Sequence, residues 1–140
     1  AMPTVVMASV WRGMGYYMVI YLAALQGIPA ILYESASIDG ANAWQKFRHI
    51  TVPLLTPATF FISIMLTISS FKVFDLILVM TNGGPGRATN VLVIHTYNIA
   101  FRQFRFGYSS AIAMVLFALV MGITILQFYM ERRWVEYSQI

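Results

Sequence analysis

Three stretches of this chain carry no charge: residues 13–33, 54–71 and 107–130. Apolar side chains dominate each, and the second pattern resumes from Leu76 to Thr81 beyond Lys72 and Asp75. A helix needs ~20 apolar residues to cross a hydrocarbon core of ~30 Å. The pattern therefore predicts three transmembrane helices, over about 4–28, 54–80 and 107–130. Arg12 falls inside the first, where it would snorkel or pair with a residue outside this chain. The second, at ~1.5 Å per residue, comes to roughly 40 Å and would have to tilt or protrude.

Between these spans the pattern changes. Pro29 ends the first helix and starts a short one over 30–38. Asp39-Gly40 breaks that helix, with Asp39 placed to cap the next one and Gly40 to turn the chain. A helix over 41–51 then puts Trp44, Phe47 and Ile50 or Thr51 on one face. Trp44 and Phe47 would bury against the ends of the spans or a partner. Pro53 and Pro57 open the second span. Asn82-Gly83-Gly84-Pro85-Gly86 reads as a loop. A short helix over 88–101 follows, lying on or dipping into the membrane surface, and Arg102, Arg105 and Gly107 close it. Glu131 to Trp134 cap the last span.

Composition agrees with a lipid environment. Hydrophobic residues make up 59% and charged residues 10%, against about half and a quarter in soluble domains. The net charge of +4 does not point to nucleic acid, because the nine Lys and Arg are scattered rather than gathered on one face. With three spans, the 29–53 connection and the C-terminus share a side. That side holds Lys46, Arg48, Arg132 and Arg133, against Arg87, Arg102 and Arg105 opposite, which favours a cytoplasmic 29–53 loop.

Candidate chemistry is sparse. With no cysteine, a disulfide framework, a thiolate nucleophile and a Cys-ligated metal are excluded. His49 and His95 lack carboxylate companions at metal spacing; His49 would solvate the loop surface and His95 pack in the surface helix. The glycine run 83–86 lacks the Gly-Lys-Ser/Thr of a phosphate loop. No Ser-His-Asp or paired-carboxylate arrangement occurs, so no cofactor, metal or catalytic set is expected. Lys72 and Asp75 sit three apart, close enough on a helix to pair. Charges within a span face a bundle interior or an aqueous path, which makes these two candidates for the translocation path. The alternative is a structural pair at the interface. Aromatics on the spans, among them Tyr16, Tyr21 and Phe60, could line a sugar path or simply pack.

The stretch Glu34-Ser35-Ala36-Ser37-Ile38-Asp39-Gly40, followed by Ile50-Thr51-Val52-Pro53, resembles the EAA motif of ABC importer permeases: Glu-Ala-Ala, three residues, Gly, nine residues, Ile-x-Leu-Pro. Glu34, Ala36, Gly40, Ile50 and Pro53 match in register, while Ser35 and Val52 replace the usual Ala and Leu. Leu25 to Pro29, Asp39 to Ala41, Thr81 to Pro85 and Gly107 to Ala111 look like the carbohydrate-uptake branch, with its maltose and glycerol-3-phosphate permeases. The resemblance implies an all-α, polytopic membrane protein of three transmembrane helices plus a cytoplasmic coupling hairpin (29–53) and an external loop with a short helix (82–106). Residues 1–140 would form the C-terminal half of a transmembrane domain in the cytoplasmic membrane of a prokaryote, since a whole subunit has ~six spans of ~20 residues.

It also implies the function: a non-enzymatic permease that moves a sugar or polyol phosphate by alternating access. Its partners would be ATP-binding cassette subunits, a second permease subunit and an external solute-binding protein. The residues implied for ATPase coupling are Glu34, Ala36, Asp39, Gly40, Ala41, Phe47, Ile50 and Pro53. Two rivals from other classes are a channel-like or structural membrane subunit without an ATPase, and a membrane-embedded enzyme. The first leaves the Glu34–Pro53 spacing unexplained, and the second lacks a convergent catalytic set.

Overall fold

The computed structural model describes residues 1–134, and among them every regular element is helical. Helix α1 runs Met2–Gln26, α2 Ala30–Ile38, α3 Ala43–Leu54, α4 Thr56–Phe71, α5 Asp75–Met80, α6 Leu92–Tyr97 and α7 Phe106–Trp134. The all-α class is as expected. Two of these helices, α1 and α7, are long and apolar enough to cross a membrane, and the bent pair α3–α4 makes a third candidate. Large apolar side chains along α1 and α7, such as Met7, Trp11, Met114 and Phe117, stand uncovered by the chain itself. Leaving so much apolar area in water would forfeit about 25 cal/mol per Å², so lipid or partner helices must cover it.

Contacts divide the chain into two compact units. The first holds residues 1–13 and 64–127, the second residues 14–63 and the described residues from 128 on. In the first unit, Val5 of α1, Ile77 of α5 and Ile94 of α6 are buried together, with Val73, Phe74, Leu76, Leu78 and Val91 packed around them. The 82–90 turn is folded onto this core rather than free. Asn82, Gly83 and Gly86 reverse the chain with φ of 51°, 87° and 61°. Thr89, fully buried, joins Thr81 hydroxyl to hydroxyl at 2.6 Å and donates to the Gly84 carbonyl at 3.0 Å. The Ser109 hydroxyl donates to the Thr96 carbonyl at 2.9 Å and so fixes the start of α7 against α6.

Three expectations change here. The continuous helix over 54–80 is instead two, α4 and α5, separated at Lys72–Phe74. The break lets Val73 and Phe74 turn onto the Val5–Ile77–Ile94 core, where Phe74 meets Tyr97 edge to face at 5.1 Å; burial of two large apolar groups outweighs one lost helical turn. Asp75 does not pair with Lys72. It accepts a hydrogen-bonded ion pair from Arg12 Nη1 at 2.7 Å, so Arg12 finds its partner within this chain. The short helix is confined to Leu92–Tyr97 and continues as a π-helical turn over Asn98–Arg102.

In the second unit, the Tyr21 hydroxyl donates to Thr59 at 3.0 Å and Phe60 meets Phe128 edge to face at 5.5 Å. The remainder of this unit is the 29–54 hairpin. Of the capping residues expected for the last span, Glu131 to Trp134 continue α7 as helix; the C-terminus itself lies outside the described residues.

Candidate functional site

The hairpin is built by α2, a four-residue turn and α3. Pro29 precedes α2 with φ −60° and ψ 128°, the extended geometry that proline favours and helix cannot continue from. The far end of α2 closes as a Schellman motif. Gly40 N–H donates to the Ser37 carbonyl at 3.1 Å, and Ala41 N–H reaches back to the Ala36 carbonyl at 2.9 Å. Gly40 holds φ of 80°, the left-handed conformation this motif places one residue past the cap. The spacing from Ala36 to Ala41 is thus the spacing of the motif's outer hydrogen bond, with Gly40 at the left-handed position inside it, and small side chains at 36 and 41 let that turn stay tight.

Asp39 caps neither helix by side chain; its backbone serves as the C-cap of α2. The N-cap of α3 is Asn42, not Asp39 as expected. Asn42 Oδ1 accepts from Gln45 N–H and Gln45 Oε1 accepts from Asn42 N–H, both at 2.9 Å. This reciprocal capping box was legible as Asn42-x-x-Gln45. Asp39 lost the role because Gly40 must lie beyond the end of α2, leaving Asp39 inside that end.

Two side-chain ties hold the arms of the hairpin together. Lys46 Nζ donates to Ser37 Oγ at 2.6 Å, and Ser37 Oγ donates to the Tyr33 carbonyl at 2.9 Å. The Tyr33 hydroxyl meets Thr51 Oγ1 at 2.6 Å. Of these four residues only Thr51 is buried. Sequence reasoning missed Tyr33, Ser37, Lys46 and Thr51 as a set, because each tie joins residues nine or more apart.

The segment entering the span is irregular for a stated reason. Pro53 offers no N–H to the His49 carbonyl and its ring crowds that carbonyl. The chain widens there into a π-helical turn over Phe47–Thr51, with Val52 N–H bonded to the Phe47 carbonyl. Pro57 repeats the problem, since it gives no N–H to the Pro53 carbonyl. The Thr56 hydroxyl supplies the bond instead, at 2.6 Å. Between these prolines α3 and α4 meet at 59°.

Five of the eight expected coupling residues, Ala36, Asp39, Gly40, Ala41 and Ile50, line an open cavity of about 420 Å³, while Glu34, Phe47 and Pro53 do not. Ala36, Asp39, Gly40 and Ala41 line it from the turn, and Lys46 and Ile50 from α3. A Cβ added at Gly40 would meet nothing within 4 Å, so the turn presents bare backbone outward. Glu34 is exposed on α2. Trp44 and Phe47 lie 5.7 Å apart and are not buried against the ends of the spans: they are 65% and 49% exposed, and Ile38 beside the turn is 87% exposed. Phe47 and Pro53 thus bracket the π turn rather than line the cavity. An exposed apolar rim around a small-residue, backbone-rich cavity is a surface that a protein partner can approach closely. His49 is exposed, as expected, with Nδ1 3.0 Å from the Gln45 carbonyl. Of the translocation-path candidates, Asp75 lies with Arg12 in the first unit and Lys72 in the break before α5; neither belongs to this site.

Residues 1–136 match the family described as binding-protein-dependent transport system inner membrane component. The chain is 42% identical to ORF1 of Caldicellulosiruptor sp. (strain Rt8B.4) over 130 residues, which cover 93% of each chain. It is 40% identical to the sn-glycerol-3-phosphate transport system permease protein UgpA of Rhizobium meliloti (strain 1021) over 139 residues, 99% of this chain and 47% of that one. It is 38% identical to the lactose transport system permease protein LacF of Rhizobium radiobacter over 131 residues, 91% of this chain and 44% of that one. The chain therefore spans about half the length of the latter two relatives. A match of this extent, in a helical chain with membrane-length spans, makes it a member of the binding-protein-dependent transport system inner membrane components.

Proposed function

We propose that this chain is the coupling half of an ABC importer permease, passing a sugar or polyol phosphate across the cytoplasmic membrane. The observation that carries the reading is the 29–54 hairpin: its small-residue turn, set by Gly40 at φ 80° and backed by the Asn42–Gln45 box, presents open backbone within an exposed apolar rim. The names of UgpA and LacF support the substrate class. The hairpin faces the cytoplasm and docks on an ATP-binding cassette subunit, which supplies the hydrolysis; this chain contributes no catalytic group. Glu34 offers its carboxylate to donors on that partner, a charge-assisted bond once desolvated. Ala36, Asp39, Gly40, Ala41 and Ile50 form the contact cavity, while Phe47 and Pro53 pass motion on to α4.

ATP-driven closure of two such subunits biases the spans between inward- and outward-open states, because docking free energy differs between them. A second permease subunit completes the path and an external solute-binding protein delivers the solute. The third span begins with α4, which α3 enters through the bend at the prolines. The test is the full-length transporter carrying Gly40→Asp. Uptake and solute-stimulated ATPase activity should fall at least tenfold while membrane insertion is retained. Normal uptake in that variant would remove the docking role, and failure of any Walker A protein to co-purify with the wild-type subunit would remove the reading altogether.

A further inference from the structure

We propose that the collar formed by residues 101–108, where α6 hands over to α7, binds the phosphodiester of an anionic membrane phospholipid. Phe101, Phe104, Phe106 and Tyr108 are each more than half exposed, at the N-terminal end of the most apolar span. Tyr108 has the amphipathic ring that settles at headgroup depth, and the three phenylalanines add apolar area beside it. Arg102 and Arg105 lie among them. The Arg105 guanidinium sits over the Tyr108 ring, 4.9 Å from its centroid, which steadies one face and leaves its N–H edge outward. The Arg102 Nη2 donates to Asn82 Oδ1 at 2.9 Å, which fixes the side chain and leaves its other donors uncommitted. Phe104, at φ 55°, turns the chain between the two arginines, and its ring meets Phe106 at 6.5 Å.

What selects the ligand is charge. Residues 76–130 contain no Asp or Glu, and among the described residues neither Arg102 nor Arg105 meets a carboxylate. Asp75, the first carboxylate on the N-terminal side, is held by Arg12. Two guanidiniums that meet no carboxylate among the described residues, framed by rings at the edge of a span, match the phosphodiester of an anionic lipid at that depth. Arginine binds phosphate oxygens by paired N–H donors.

The purified full-length transporter, titrated with phosphatidylglycerol or phosphatidylcholine and read by native mass spectrometry, tests this. Wild type should retain phosphatidylglycerol in preference. Each basic group near the surface contributes about fivefold, so Arg102→Gln with Arg105→Gln should weaken retention about 25-fold. Arg87→Gln, which alters a basic residue of the 82–90 turn rather than of the collar, should leave it unchanged. Should the double variant not assemble, Tyr108→Leu, which removes only the ring support, should alone weaken retention about two- to fivefold. Unchanged retention in these variants overturns the proposal. So does equal loss with Arg87→Gln, or full competition by inorganic phosphate, which would mark a soluble-anion site. Loss confined to solute-binding-protein affinity, with lipid retention intact, would assign the collar to that protein instead.

Discussion

The Tyr33 hydroxyl and the Thr51 hydroxyl share a hydrogen bond of 2.6 Å across the two arms of the hairpin. Thr51 is 9% exposed and belongs to the π-helical turn that leads into α4, so this bond ties α2 to the segment that enters the next helix.

Tyr33→Phe should cost about 1 kcal/mol of stability, the net worth of one such bond, and should lower the ratio of solute moved to ATP hydrolysed more than it lowers ATP hydrolysis. Thr51→Ser, which keeps the hydroxyl, should retain the ratio. The Tyr33→Phe, Thr51→Val double variant should lose less than the sum of the singles. Flux and hydrolysis measured together in proteoliposomes check all three.

Gly40 separates backbone strain from steric exclusion of a partner. Gly40→Ala forces a Cβ into the left-handed region at roughly 1–2 kcal/mol, yet the added atom meets nothing in this chain. Gly40→Asn relieves the strain, since asparagine tolerates that region, but adds a larger side chain to the contact face. If docking governs the site, Gly40→Asn should leave thermal stability nearer wild type than Gly40→Ala and yet impair uptake more. Thermal unfolding and uptake should then rank the two variants in opposite order.

The Arg12–Asp75 pair should behave as a unit. Arg12→Gln or Asp75→Asn leaves one charge without its partner in a segment bordered by apolar residues. Either should lower the yield of folded transporter several-fold. The exchange of both residues, Arg12→Asp with Asp75→Arg, should recover a substantial part. Monodisperse yield on size exclusion is the measurement.

Ile94 is fully buried beside Ile77 and Val5. Ile94→Ala should cost about 2–5 kcal/mol locally, seen as faster amide exchange across 82–102. The 29–54 hairpin, in the other unit, should exchange as before.

Much of this was legible in sequence where the determinants are local. The uncharged runs 13–33 and 107–130 marked α1 and α7, and Pro29 marked the start of α2. The break at Lys72–Phe74 was not legible, because apolar character continues through Val73 and Phe74, and the i, i+3 placement of Lys72 and Asp75 mimics a helical pair. What decides it is Val5 and Ile94, far away in sequence, together with Arg12. Asp39 misled for a different reason: it is a good capping residue by type, but the glycine beside it makes it the end of one helix rather than the start of the next. The π turn at Phe47–Thr51 left only one sequence trace, Pro53, which announces a missing hydrogen bond without saying how the chain absorbs it.

The 59° elbow at Leu55 has a mechanical consequence. Helix α3 is a stiff arm of roughly 18 Å, and the joint at its base has lost one backbone bond to Pro57 and replaced it with a hydroxyl that can swing. A rotation of ~10° about that joint would carry the far tip ~3 Å, about the diameter of one water molecule. The geometry is that of a crank: a small displacement imposed at the outer tip would become torque on α4 at the other end.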